Sequence, residues 1–244
     1  MLMLKYPCLY REGLTVDRIY KVETHLHTSE GSACAKSSGA EMARAYKEHG
    51  YDTIIITDHF FGGNTAVPKD LPWEERIDLY FKGYRNAKAE GDKIGLTVLP
   101  GMEWAYHGTE FLTYGLPESW IKAHPEMEDW TPETFMEKAH MMDAFIVHAH
   151  PFRWSDTPNL YPMYVDGVEV YNAGNPEKAN ALAADFAKHF RLPTTAGSDE
   201  HNHLLFRGAG MAFRTPINTI SDFIRAVRTQ MPYEAILSDG QWAK

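Results

Sequence analysis

Histidines and carboxylates recur along this chain in short, ordered groups. His25-Leu26-His27, Asp58-His59, Glu103 after Pro100-Gly101, His148-Ala149-His150 and Asp199-Glu200-His201 follow one another from end to end. Imidazole nitrogens and carboxylate oxygens are the donors that hold zinc, manganese and iron(II). In an extended segment, residues i and i+2 share a side, so both rings of His25 and His27 can reach one ion. Divalent ions gathered this way act as Lewis acids and lower the pKa of a water held between them. The pattern therefore supports metal-assisted hydrolysis.

One histidine at a strand end is as easily read as an isolated polar residue where a loop begins. Five such places converging on one rim are not. The chain holds 12 histidines, so the others serve for comparison. His49, His140 and His189 fall on helices or near their ends and read as solvated. His107, His124 and His203 lie in loops and take no role. His148 is ambiguous, because His150 beside Pro151 is the better ligand.

These groups need elements that bring them together. Apolar runs predict strands at 19–25, 53–58, 96–103, 144–148, 167–171, 193–198 and 210–213. Ile54-Ile55-Ile56 lacks alternation, as expected where both faces of a parallel strand are covered. Helices lie between the strands. Ser38 and Glu41 form a capping-box pattern, and Gly50 stops that helix. Thr131-Pro132 opens another, with Phe135, Ala139 and Met142 as its buried stripe. Asn175-Pro176 opens a third, with Leu182, Phe186 and Phe190 on one face. Asn218 or Thr219 opens a fourth, with Ile220, Phe223, Ile224 and Val227 at helical spacing. Trp73, Ile77, Tyr80, Phe81 and Tyr84 mark a further helix in a longer insertion. This alternation favours a parallel β/α barrel over its rival, an open doubly wound sheet, and both collect ligands at the carboxyl ends of their strands.

Composition agrees with a globular enzyme. The 244 residues are 44% hydrophobic and 23% charged, enough for one domain spanning 1–244. The net charge of −9, without a Lys/Arg-rich run, disfavours nucleic acid as the main partner. Cys8 and Cys34 form no C-x-x-C pair, so neither a disulfide framework nor a thiolate zinc site is indicated. Met1–Tyr10 has no apolar stretch of signal-peptide length and no later run could span a membrane, which makes the cytoplasm the expected compartment.

With these residues in view, the sequence resembles the polymerase and histidinol phosphatase (PHP) superfamily over most of its length. The matching motifs are His25-Leu26-His27-Thr28, Thr57-Asp58-His59, Pro100-Gly101-Met102-Glu103, Ala149-His150-Pro151 and Gly197-Ser198-Asp199-Glu200-His201, followed by Gly208-Ala209-Gly210. The resemblance implies a distorted (β/α)7 barrel with two to three divalent ions, commonly zinc, manganese or iron. It implies His25, His27, Glu103 and Asp199 on the first ion, Glu103 bridging to a second that His150 also binds, and His59 and His201 on a third. Two features depart from the family pattern. The acid or histidine that completes the third position has Glu30 and Ser32 as its nearest candidates, and Glu30 is the one taken. The histidine that members carry on the strand after Glu103 falls at Leu112, so the second ion leans on His148, Glu110 or water.

The resemblance implies a phosphoesterase acting on a small phosphorylated metabolite. Asp199 is the residue expected to handle the proton of the attacking water. Arg153 can fork onto phosphate as guanidinium matches a tetrahedral oxyanion, or can form a surface ion pair. Arg207 is a second substrate-binding candidate. Trp104, Tyr106, Phe152 and Trp154 are candidates to line a leaving-group pocket, or to pack. Hydrolysis of an amide or lactone at the same site is the alternative reaction. A non-catalytic metal-stabilised domain is a further reading, opposed by eight ligands where a structural zinc needs four. A nuclease is another, opposed by the missing basic stripe.

Overall fold

The computed structural model describes residues 18–231 and 233–238. Cys8 and the Met1–Tyr10 opening lie outside them.

The chain alternates strands and helices in the order β1 (Tyr20–Leu26), α1 (Gly39–Glu48), β2 (Thr53–Ile56), α2 (Trp73–Tyr80), α3 (Lys82–Ile94), β3 (Thr97–Tyr106), β4 (Thr109–Tyr114), α4 (Glu118–Lys122), α5 (Pro132–His140), β5 (Phe145–His148), β6 (Gly167–Asn172), α6 (Glu177–Phe190), β7 (Thr194–Gly197), β8 (Gly210–Phe213), α7 (Ile220–Arg228) and β9 (Tyr233–Ile236). The sheet runs β7-β6-β5-β4-β3-β2-β1-β8-β9. It curls until its first strand meets β1. Leu26 bridges Glu200 in parallel, Thr24 Oγ1–H donates to the Ala196 carbonyl at 2.8 Å, and Asp199 N–H donates to the His25 carbonyl at 2.9 Å. That near-closure gives the expected barrel and rules out the open sheet.

The structure differs from the expected seven strands in three ways. β4 is inserted antiparallel between β3 and β5. Its hairpin turns at His107 and Gly108, with φ of 47° and 81°, the two left-handed positions of a two-residue hairpin loop. β8 runs antiparallel to β1, and β9 adds a ninth strand beyond it. The β4 departure follows from its two-residue connection to β3, since a parallel partner needs a long crossover.

Ser38 and Thr131 cap where expected, Thr219 rather than Asn218 caps α7, and α6 opens at Pro176 without a side-chain cap. Ser38 and Thr219 each close a reciprocal capping box. Two apolar stripes are displaced. On α6 the buried residues are Ala179, Ala183, Phe186 and Ala187, while Phe190 is exposed. Small residues pack this helix against β6, and Phe190 is its last residue, before the left-handed cap at Arg191. Met142 is exposed beyond the end of α5. The insertion holds two helices broken at Phe81. No described helix is long and apolar enough to cross a membrane.

Candidate metal centre

Strands β1, β2, β3, β5 and β7 all point the same way, and their carboxyl ends carry the predicted donors to one place. His25, His27, Glu103, His150 and Asp199 are all buried there, as is His59, while His201 is partly open. Buried polar side chains persist only when partnered, and these partner one another. His25 Nε2 lies 3.1 Å from His27 Nε2, 3.2 Å from Glu103 Oε1 and 3.5 Å from Asp199 Oδ1. His27 Nε2 is 3.0 Å from Asp199 Oδ1, and His150 Nε2 is 3.1 Å from Glu103 Oε1.

Neighbouring groups fix which ring nitrogens face inward. His25 Nδ1 lies 2.9 Å from the buried Glu169 carboxylate, which directs Nε2 to the centre. Ser32 Oγ–H is given to Asp58 Oδ1 at 2.7 Å, so Ser32 Oγ must accept the proton of His27 Nδ1, 3.1 Å away. His201 Nδ1 donates to the Asp199 carbonyl at 2.9 Å. Such outer partners set the tautomer and orientation of a ligating imidazole. Two positions hold backbone in the left-handed region, His150 with φ of 28° and Asp199 with φ of 54°. For non-glycine residues this costs roughly 1–3 kcal/mol each. Hydrogen bonds from His150 N–H to Glu169 and from Asp199 N–H to His25 O hold the strain.

The donors fit divalent ions. Glu103 Oε2 and His59 Nδ1 stand 2.6 Å apart, yet neither buried atom has a hydrogen-bond partner. Donor atoms from His25, His27 and Glu103 lie within 4.8 Å of one another, as do those of His25, His150 and Asp199, of His59, Glu103 and Glu110, and of His27, His59 and His201. Nitrogen and carboxylate oxygen are the set that zinc, manganese and iron accept.

Charge inside the cluster is mutually compensated. Burial alone would raise Glu103 and Asp199, but the imidazoles beside both, and Arg153 beside Asp199, hold them well below the usual carboxylate range. Burial would lower His59, but Glu103, Cys34 and Glu110 push it up to about 11. His27 is held well below its ordinary value by burial and by its imidazole neighbours His201 and His59.

Glu30 stands apart from the donors. Its carboxylate accepts from Gly39 N–H at 3.0 Å and from Asn86 Nδ2–H at 2.9 Å, tying its loop to α1 and α3. This corrects the expectation that it completes the third position. Ser32 is engaged as described. Glu110 takes a place the sequence left among several. Alternation along β4 puts it on the face of Leu112, nearer the rim, with Oε1 3.6 Å from His59 and Oε2 3.6 Å from His150. His148 is buried and held down to about 3 by burial and by His150. Cys34 also reaches the centre, although no thiolate site was indicated by the sequence. Its thiol contacts the rings of His201 and His59, which outweigh burial and hold it near 6.

A cavity of about 240 Å³ opens beside the centre, lined by Glu110, His150, Arg153 and Trp154 among others. Arg153 Nη2 lies 2.5 Å from Asp199 Oδ2. A Cβ at Gly174 would come 2.9 Å from Arg207 Nη1 and 3.5 Å from Arg153 Nη2, so both guanidinium groups crowd that glycine. Trp154 is exposed at the cavity, whereas Trp104 stacks on Phe135 in the core and Phe152 packs toward Phe186. Tyr106 also packs against the core.

Residues 177–230, from α6 through α7, match the family described as PHP-associated. That match covers a C-terminal segment of the chain and not the strands before it. Among curated proteins there is no match. The PHP fold recurs in several solved structures. One is a two-domain protein containing a predicted PHP-like metal-dependent phosphoesterase from Bacteroides vulgatus, with a TM-score of 0.63 and 14% identity over 95% of this chain and 70% of that one. An amidohydrolase from Chromobacterium violaceum superimposes with a TM-score of 0.56 and 12% identity over 90% of this chain and 99% of that one. The lesion-specific endonuclease PfuEndoQ from Pyrococcus furiosus gives 0.63 and 15% identity, over 93% of this chain and 60% of that one. At these identities the likeness is one of fold. The fold and the buried donor cluster stand together at the barrel mouth.

Proposed function

We propose that this chain is a metal-dependent hydrolase, a phosphoesterase acting on a small phosphorylated metabolite. The observation that carries the reading is the convergence of Arg153 and Arg207 at Gly174, beside Asp199 and the donor cluster. Two guanidinium groups at one wall suit the oxygens of a phosphoryl group. His25, His27, Glu103 and Asp199 would hold a first ion, Glu103, His150 and Glu110 a second, and His59 and His201 a third. Bound divalent ions supply Lewis acidity toward a phosphoryl oxygen and make an adjacent water more acidic. Arg153 and Arg207 bind and orient the substrate's oxygens. Asp199, ionised at neutral pH, accepts the proton of the attacking water at Oδ1 while Oδ2 stays paired with Arg153.

The size of the cavity supports a small substrate, and the net charge of −9 disfavours a polynucleotide. The similarity to an amidohydrolase favours a second reading, hydrolysis of an amide or lactone whose carboxylate meets the same arginines. A panel of phosphomonoesters, phosphodiesters, amides, lactones and oligonucleotides, assayed with Mn²⁺ or Zn²⁺ and with EDTA, separates them. Phosphate release that EDTA abolishes is expected. Turnover confined to amides or lactones would overturn the phosphoesterase reading.

A further inference from the structure

We infer that the cavity beside the metal centre receives the alcohol portion of the substrate, a small uncharged polyol, and that His148 selects it by hydrogen bonding to a hydroxyl. The inference rests on the phosphoesterase reading and deepens it by naming the class of leaving group. Glu110, His150 and Arg153 line the cavity and also stand against the donor cluster. A phosphate ester bound there therefore has this space next to it for its organic portion.

His148 lines the same cavity without joining the centre, since none of the donor groups among the described residues includes it. The residue is 1% exposed, and its Nδ1 is buried without a hydrogen-bond partner. A buried polar atom left unmet is costly, so one kept on a cavity wall calls for a partner that arrives with the substrate. Phe111 stands opposite His148 on β4, with ring centroids 5.0 Å apart, and the Tyr161 ring approaches to 6.3 Å. Such aromatic walls favour the neutral imidazole. That form donates at one nitrogen and accepts at the other, and a hydroxyl can meet either. Apart from Glu110, Arg153 and the histidines, no lining side chain is ionisable. A second phosphate or a carboxylate would find no partner there beyond Arg153. Thr157 and Asn159 offer hydroxyl and amide groups, and Trp154 offers an exposed indole face, which together suit the hydroxyls and the carbons of a polyol. At about 240 Å³ the cavity is smaller than the roughly 300–1,000 Å³ of sites for drug-sized ligands, which fits a leaving group of a few carbons.

Kinetics of the full Mn²⁺-loaded chain on two esters of similar size, glycerol phosphate and propyl phosphate, test the inference. The glycerol ester should be favoured about tenfold in kcat/KM, the scale of a hydrogen bond made by only one of the two. His148→Phe keeps a ring but no polar atom, and should erase the preference by weakening the glycerol ester alone, with metal content unchanged. His148→Gln keeps a donor and an acceptor and should retain most of the preference. The wild-type comparison and His148→Gln carry the test even where the phenylalanine variant fails to fold. Equal kcat/KM for the two esters in the wild-type chain, a preference that survives His148→Phe, or a folded His148→Phe that loses equally on both would overturn the assignment while leaving the phosphoesterase reading standing. Phosphate release from neither ester would overturn it as well, and the broader substrate panel then decides separately whether the phosphoesterase reading holds.

Discussion

Glu103 Oε2 and His59 Nδ1 lie 2.6 Å apart in the barrel mouth without forming a hydrogen bond. Two buried donor atoms this close are both placed to reach one divalent ion. Glu103 also meets His25 and His150 through Oε1, so one carboxylate touches donors of three proposed positions. Glu103→Gln should therefore cost more than one metal equivalent and most activity, read by elemental analysis and turnover. Loss of a single equivalent would show that Glu103 does not bridge.

Glu30 should be indifferent to metal. Glutamine keeps an acceptor for Gly39 N–H and Asn86, so Glu30→Gln should keep its full metal content and change stability by less than about 0.5 kcal/mol. A missing equivalent in that variant would return Glu30 to the third position.

Glu169 should act through His25. Replacing it by glutamine weakens the acceptor that directs His25 Nε2 inward, and loss of such an outer partner typically lowers metal affinity about 10–100-fold. Calorimetric titration of the metal-free variant with Zn²⁺ checks this. Unchanged affinity would make Glu169 purely structural.

Arg207 should bind substrate without changing the chemical step. Arg207→Ala should raise KM by an amount equivalent to roughly 1.5–3 kcal/mol, the scale of a hydrogen bond to a charged group, with kcat little altered. Arg153→Ala, beside Asp199, should lower kcat as well.

Glu23 predicts a pH dependence in the metal-free protein. Burial pushes its carboxyl up to about 7, against hydrogen bonds from Ser198, His25 and Tyr46. The raised pKa means the folded chain holds a proton that the unfolded chain gives up. Its contribution is complete below about 4.5 and is lost as pH rises through about 7, a change of roughly 3 kcal/mol. Glu23→Gln, whose amide can donate to Tyr46 Oη, should lose less stability over that window. Parallel denaturant midpoints at both ends of it test the sign.

Much of the fold was legible because its signals are local. The unalternating Ile54-Ile55-Ile56 run and the Ser38 capping box each depend on neighbouring residues, and each stands where expected, while Thr219 was one of two candidates for its cap. β9 and the direction of β8 depend on pairing across the sheet, which periodicity does not encode. The His107-Gly108 turn was a readable hairpin signal, weaker than Asn-Gly because histidine tolerates the left-handed region less well. The predicted donors follow strand ends and converge. Glu110 escaped for a physical reason, since an antiparallel insertion brought it to the rim. Glu169 had one signal, an acid inside an otherwise apolar, buried strand. Glu30 misled because proximity to His27 along the chain says nothing about which way a loop turns.

The barrel mouth should hold a multinuclear metal centre. Elemental analysis of protein purified without chelator tests it most directly. More than one transition-metal equivalent per chain is predicted, falling when His25 and His27 are both replaced by alanine. Protein that arrives metal-free, and that takes up neither Zn²⁺ nor Mn²⁺ in calorimetry, would contradict it.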